Sequence, residues 1–181
     1  MSWLPPVVTV QPASEPVSLA EAKIHCKVDG SDSDSELTTM IASARTLVEE
    51  YTGTKLVSQT VVLRCSCFDD FADIPMAPLT SISSITYLDS AGASQTLSTD
   101  VYESVLHGLE PEIRLKVNQS WPDVRDVSDA ITVTAASGYS SLPSPVKSAM
   151  LLTISNLYDN RSGGTLPQAA MDLLNTNYRR F

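Results

Sequence analysis

The chain has 181 residues, of which 43% are apolar and 18% are charged, and its net charge is −9. This length allows one domain or two small ones with a sizeable core, and the low share of charge indicates a surface that faces other protein. The acidic balance excludes a basic nucleic-acid-binding surface. No apolar run approaches the ~20 residues that span a bilayer, and the amino terminus lacks the features of a signal peptide.

The amino-terminal residues predict an arm and a short helix. Four prolines lie within residues 1–17, which we interpret as an extended arm. Ser18 and Glu21 have the spacing of a capping box and predict a helix from Leu19 to about Lys27.

A second helix is predicted between an acidic loop and Gly53. Ser33 and Glu36 repeat the capping spacing, and glycine is a common helix terminator. The helix carries the clearest amphipathic stripe of the chain: Leu37, Met40, Ile41, Ala44, Leu47, Val48 and Tyr51.

Residues 57–140 predict an antiparallel β region, because the apolar period changes there from 3.6 to 2. The predicted strands are Thr60–Cys67, Ser81–Leu88, Gln95–Leu97, Val101–Leu106, Ile113–Val117 and Ala130–Ala135. Short strands at this spacing are typical of a sandwich or a small barrel.

Helical periodicity returns after Pro145. Its main stripe comprises Val146, Met150, Ile154, Leu157 and Tyr158, and we expect this stripe to pack on the second helix. The expected architecture is therefore α+β, with a helical module from residues 18–56 and 141–161 and a β-rich insert at 57–140. Residues 162–181 follow as a separate carboxy-terminal segment.

No pattern of catalytic, cofactor-binding or metal-ligating residues stands out. Asp32, Asp34 and Glu36 alternate as calcium ligands do, but Leu37 and Ser43 occupy the positions that need glycine and glutamate. Asp69, Asp70 and Asp73 form an acidic cluster for which we expect solvation rather than acid–base chemistry. We therefore expect neither an enzyme nor a cofactor.

The three cysteines, Cys26, Cys65 and Cys67, predict reduced thiols. Cys65 and Cys67 lie two apart in a predicted strand, roughly 6.5–7 Å from each other, which is too far for easy bridging. Reduced cysteines are typical of a cytosolic assembly.

The order of several short motifs resembles that of a known family. These motifs are Pro16–Lys23, Glu49–Gly53, Leu56–Thr60, Gln119–Pro122, Ile131–Val133 with Gly138–Tyr139, Pro143–Lys147 and Asn156–Arg161. Together they are similar to the head–tail connector (adaptor) proteins of tailed bacteriophages and related gene-transfer particles, over residues 16–161.

The resemblance implies a non-enzymatic ring, usually twelvefold, that lies beneath the portal protein in the neck of the virion. Such a ring extends the DNA channel, binds the next neck or tail protein, and lets DNA pass without specific binding. It implies assembly in the cytoplasm of the bacterial host and no membrane partner.

Residue types suggest the contacts of such a ring. Beyond Gly163-Gly164, we expect the carboxy-terminal segment to leave the subunit and bind the portal, because apolar anchors and forked arginines are common in interface hot spots. The portal-binding candidates are Leu166, Met171, Leu174, Tyr178, Arg179, Arg180 and Phe181. Leu152 lies off the main stripe of its helix and is a candidate subunit contact. The DNA-channel candidates are Asp32, Asp34, Asp69, Asp70 and Asp73.

Two other functions stay open from the residues alone. One is a different neck or tail component, such as a stopper or tail-completion protein. The other is a carbohydrate-binding β-sandwich, for which only Trp121 is an attractive ligand-stacking residue, and we expect Trp121 to fill a core instead.

Overall fold

A computed structural model of the protein describes residues 3–160, 164–175 and 178. The chain divides into two units. The β unit consists of Met1–Pro12 and Ser58–Tyr139, and the helical unit consists of Ala13–Val57 and Ser140–Phe181. Four helices and seven strands, all strand pairs antiparallel, occupy the described residues, which confirms the α+β class. The sheets are not closed into a barrel.

The β unit is built on a five-stranded sheet with the order β1-β2-β7-β3-β4. These strands are β1 (Val7–Val10), β2 (Gln59–Cys65), β3 (Leu79–Leu88), β4 (Ser94–Thr96) and β7 (Ile131–Ser137). β5 (Tyr102–Val105) and β6 (Glu112–Leu115) form a separate hairpin. All six predicted strands are present, and β1 is an additional strand within the residues expected to form an arm.

Buried residues alternate with more accessible ones along the strands, so one face of the large sheet packs on a hydrophobic core. In β2 and β7 every second residue is buried, including Val61, Leu63, Val133 and Ala135. A short 3-10 helix, Phe68–Ala72, follows β2 and contributes both of its phenylalanines to this core.

The helical unit contains α1 (Leu19–Cys26), α2 (Asp34–Thr52), α3 (Ser144–Asp159) and α4 (Gln168–Asn175). The capping box of α1 is confirmed, since the Ser18 side chain accepts from Glu21 N and the Glu21 carboxylate accepts from Ser18 N. Gly53 ends α2 in the left-handed conformation, as expected. The capping bond expected at Ser33 is wrong: its backbone lies at φ −99° and ψ 5°, and its side chain makes no capping hydrogen bond.

Helices α2 and α3 pack together through their apolar stripes. The buried stripe residues are Leu37, Ile41, Ala44 and Val48 on α2 and Val146, Met150 and Ile154 on α3. Leu47 and Leu157 are only half-buried, so they lie at the margin of this core.

Candidate functional site

The carboxy-terminal segment packs on the helical unit over its described residues. α4 contacts α3, and Ala170 and Leu174 are fully buried. The Tyr51 hydroxyl donates to Asn175 Oδ1 at 2.8 Å, which ties the end of α4 to α2. The expectation that this segment leaves the subunit is therefore wrong for residues 164–175, because the apolar face of α4 is covered by the subunit's own helices.

The connection into α4 is also held. Asn156 Nδ2 donates to the Thr165 carbonyl at 3.1 Å. A Cβ on Gly164 would lie 2.7 Å from Leu157 Cδ2, so the missing side chain permits a close approach to α3. Gly163, the other half of the expected flexible joint, lies outside the described residues.

Leu174 is thus part of the subunit interior, whereas the other described portal-binding candidates are partly accessible to solvent. Leu166, Met171 and Tyr178 are half-buried. Arg179, Arg180 and Phe181 lie outside the described residues. Leu152, the candidate subunit contact, is half-buried on α3.

The two acidic candidates before α2 have different surroundings. Asp32 is exposed, whereas Asp34 forms an ion pair with Lys23 at 2.6 Å and contributes acidic charge to the first turn of α2. The same lysine donates to the Gly30 carbonyl, so it fixes the acidic loop whose spacing does not match a calcium site. Since Asp34 is already neutralised by a partner, Asp32 is the freer charge of the two.

Asp69, Asp70 and Asp73 lie on and just after the 3-10 helix. Asp69 is exposed and the other two are half-buried. Trp3 Nε1 donates to the backbone carbonyls of Asp70 and Asp73, at 3.2 and 2.9 Å. These bonds fix the backbone that carries the three carboxylates.

An aromatic cluster packs the 3-10 helix against the loop that begins at Trp121. Trp121 stacks on Phe68 with ring centroids 4.7 Å apart and meets Phe71 edge-on at 5.7 Å. Trp121 is partly buried against the core of the β unit, as expected, and Phe68 covers one face of its ring.

Sequence reasoning missed the acids that follow Trp121, namely Asp123, Asp126 and Asp129, all of them exposed. Their loop begins at Trp121, which packs on the 3-10 helix. That helix lies more than 45 residues before Trp121 in the chain. The β unit carries eleven acidic and four basic residues, the helical unit ten and eight. The negative charge is therefore concentrated in the β unit.

The described residues hold no group of His, Cys, Asp and Glu able to bind a metal ion. A shallow cavity of about 220 Å³ opens on the sheet beside Thr86, Ser94, Asp129 and Thr132. It brings together hydroxyls and a single carboxylate.

Cys26 and Cys65 lie in surroundings that disfavour the thiolate. Burial, followed by the nearby Asp70 carboxylate, raises the pKa of the Cys65 thiol to about 12. Burial and then Asp159 raise the pKa of Cys26. All three cysteines are unpaired by disulfides. A reactive nucleophile needs a lowered pKa, so Cys26 and Cys65 are structural residues.

Within the described ranges, none of the helices combines the length and the hydropathy needed to cross a bilayer.

Comparison with solved structures finds chains with a similar fold. One chain in the virion of a native gene transfer agent (GTA) particle superposes with a TM-score of 0.80 at 18% identity, covering 98% of this chain and 97% of the other. A chain of the native GTA neck computed with C12 symmetry gives a TM-score of 0.79 at the same identity and coverage. A chain of the empty-particle neck computed with C6 symmetry gives 0.78, also at 18% identity with 98% and 97% covered.

No curated protein has a sequence that matches this chain. Residues 16–100, which run from just before α1 to beyond β4, match the family described as phage gp6-like head-tail connector protein. This stretch of the chain thus has the sequence pattern of the gp6-like head–tail connectors, and the resemblance found in the sequence is confirmed.

Proposed function

We propose that the protein is a structural head–tail connector, an adaptor ring in the neck of a tailed phage or a phage-like particle. The observation that carries the proposal is the coincidence of two similarities. The connector family matches residues 16–100, and the fold of a GTA neck protein matches 98% of the chain. The family and the structural relatives are components of particles, which favours an architectural role over an enzymatic one.

The same relatives support a ring of identical subunits. The similar neck structures were computed with C12 and C6 symmetry, which supports cyclic assembly. Twelve copies between the portal and the next neck or tail protein would multiply the net charge of −9. Such a ring would repel the DNA backbone and let the duplex slide through it.

The portal contact is best assigned to the end of the chain together with the margin of α4. Leu174 is committed to the subunit core, so it is no longer a candidate. Leu166, Met171 and Tyr178 are partly accessible, and Arg179, Arg180 and Phe181 follow them in sequence. Arginines can form forked hydrogen bonds to portal carboxylates, and aromatic residues are common anchors.

The decisive experiment removes the protein from its particle. Inactivating the gene should yield DNA-filled heads and separate tails, and wild-type protein supplied in trans should restore joining. Cryo-electron microscopy of the restored particle should show a ring of this chain in direct contact with the portal. Normal particles without the protein would overturn the proposal, and a ring separated from the portal by another protein would indicate a stopper instead.

A matched pair of truncations tests the portal contact. A chain ending at Asn175 keeps α4 and its buried Ala170 and Leu174, so it should fold with an unchanged melting temperature but no longer join heads. A chain ending at Asn160 also uncovers α3 and should lose stability. If the chain ending at Asn175 restores head joining fully, the terminal residues do not bind the portal.

A further inference from the structure

The amino-terminal edge of the large sheet is unusually apolar. Among the described residues, the exposed large apolar side chains are Leu4, Val7, Val10, Ile24 and Val117, and three of them lie within residues 4–10. Val7 and Val10 belong to β1, the outermost strand, and are 46% and 56% exposed. The outer backbone of β1 faces no described strand. An apolar edge strand of this kind pairs readily with another chain.

The opposite side of the same sheet has a second open edge. β3 pairs with β7 from Leu79 to Tyr87, but β4 covers its other side only at Thr86–Leu88. In the part of the chain that the structure describes, no strand pairs with residues 79–84 on that side. Thr80, Ser81 and Ser83 are exposed there.

Strand directions make these two edges complementary. Every neighbouring pair in the order β1-β2-β7-β3-β4 is antiparallel, so β1 and β4 run in the same direction. A second copy's β1, placed in line with β4 beside residues 79–84, would therefore lie antiparallel to β3. The four residues of β1 fit the length of the open stretch.

Charge favours a second copy of this chain as the occupant. Residues 3–12 and the ten residues of β3 contain no charged side chain, although the chain carries a net charge of −9. Two acidic subunits repel each other through most surfaces, and these edges are free of that repulsion. Pro5, Pro6 and Pro12 bracket β1 and restrict pairing to one short strand.

We propose that β1 of one subunit adds to the open half of β3 in the next subunit, so that the sheet continues from copy to copy around the ring. Two different edges meet, so the contact is head-to-tail, and head-to-tail contacts close into rings when the rotation allows. Backbone hydrogen bonds supply affinity in strand addition, and Val7 and Val10 supply apolar area. This inference rests on the ring assembly proposed above.

Directional cross-linking tests the contact. Val10→Cys and Ser81→Cys, which face each other when β1 lies antiparallel beside residues 81–84, are made separately in a background with Cys26→Ser and Cys67→Ser, and Thr9→Cys covers the neighbouring register. Rings that contain both types of subunit, formed in solution or isolated with the neck, should give a covalent dimer on oxidation, and rings of either type alone should not. Val117→Cys, 88% exposed but outside both edges, is the control that should give no dimer with Ser81→Cys.

Charge variants give an independent readout. Val10→Glu and Ser81→Glu should each convert rings to monomers in native mass spectrometry, and Val10→Lys combined with Ser81→Glu should restore the rings. Val117→Glu should leave them intact.

Intact rings from Val10→Glu, or rings that form no cross-link between residue 9 or 10 and residue 81, would overturn strand addition. Cross-links between two Val10→Cys subunits would overturn the head-to-tail arrangement. The proposed function would survive these results, because it fails only if the wild-type protein is missing from the neck.

Discussion

Glu49 shows how one buried residue fixes the exit of a helix. It is 6% exposed in the last turns of α2, where its carboxylate accepts from Leu56 N at 3.0 Å and from Lys55 Nζ at 3.1 Å. Arg45 forms two ion pairs: its Nη1 lies 3.7 Å from Glu49 Oε2, and its Nε lies 2.8 Å from Glu15 Oε2. The network holds the segments before α1 and after α2 against one helix.

We therefore predict that Glu49→Ala destabilises the protein. The change leaves the buried Leu56 N–H without its acceptor, which costs about 1–3 kcal/mol. Urea denaturation followed by circular dichroism measures the loss, with Glu50→Ala as the exposed neighbouring control. Equal losses for the two variants would show that the carboxylate of Glu49 does not hold the Leu56 backbone.

We predict that the interaction of Glu21 with Lys147 makes the stability of the protein depend on pH. The side-chain hydrogen bond from Lys147, followed by bonds from Ser18, lowers the pKa of Glu21 to about 2. A lowered folded-state pKa stabilises the protein above the unfolded-state pKa of about 4.3 and ceases to do so as the pH falls towards 2. Glu21→Gln should thus differ from wild type near neutrality, and the difference should shrink between about pH 5 and pH 2.

Thermal unfolding across this pH range measures the convergence for Glu21→Gln. Glu50→Gln is the control, since Glu50 is exposed and forms no ion pair within the described residues. A difference between Glu21→Gln and wild type that stays constant with pH would contradict the assignment.

At the scale of elements, the stripe of α2 separates core from margin. Ile41 is 3% exposed, whereas Leu47 is half-buried beside Leu157. Ile41→Ala should cost roughly 2–4 kcal/mol of unfolding free energy, because it removes buried carbons and leaves a cavity. Leu47→Ala should cost clearly less. Chemical denaturation of the two variants measures both losses of unfolding free energy. A loss below about half a kcal/mol for Ile41→Ala would show that the stripe faces solvent.

Elements with a strong local period were predictable from the sequence. The long helices and six strands are dictated by apolar repeats and by caps such as Ser18 and Gly53. β1 was not predicted, because a four-residue run between prolines resembles an extended arm until a pairing partner is known. The order of the strands was also beyond local reasoning: β7 lies between β2 and β3, and only tertiary contacts place it there.

The candidate surfaces were predictable only as residue types. The apolar face of α4 has the pattern of an interface, and its partner is the subunit's own α3. The acids at 123, 126 and 129 gave no signal, because the contact of their loop with the 3-10 helix is made by the stacking of Trp121 on Phe68, two residues far apart in sequence.

At the scale of the whole molecule, the exposed acidic residues allow a test of the proposed DNA channel. Asp32 and Asp69 are exposed carboxylates in the helical and β units. If they face the passage, Asp32→Lys and Asp69→Lys should slow DNA release from particles, because repeated lysines hold the phosphate backbone and the effect weakens with salt. Time-resolved dye binding to released DNA provides the measurement. Asp100→Lys is the control, and equal release rates for all variants would place Asp32 and Asp69 outside the lumen.

The central position of β7 constrains the order in which the protein can form during synthesis. β2 and β3 have no mutual ladder, and both pair with a strand that ends at Ser137. The ribosome must therefore make about three quarters of the chain before the large sheet can close. Until then β2 can pair only with β1 and β3 only with β4, so the two halves of the sheet stay separate in the nascent polypeptide. A fragment that stops at residue 100, where the family similarity ends, contains the recognisable sequence but cannot complete the sheet.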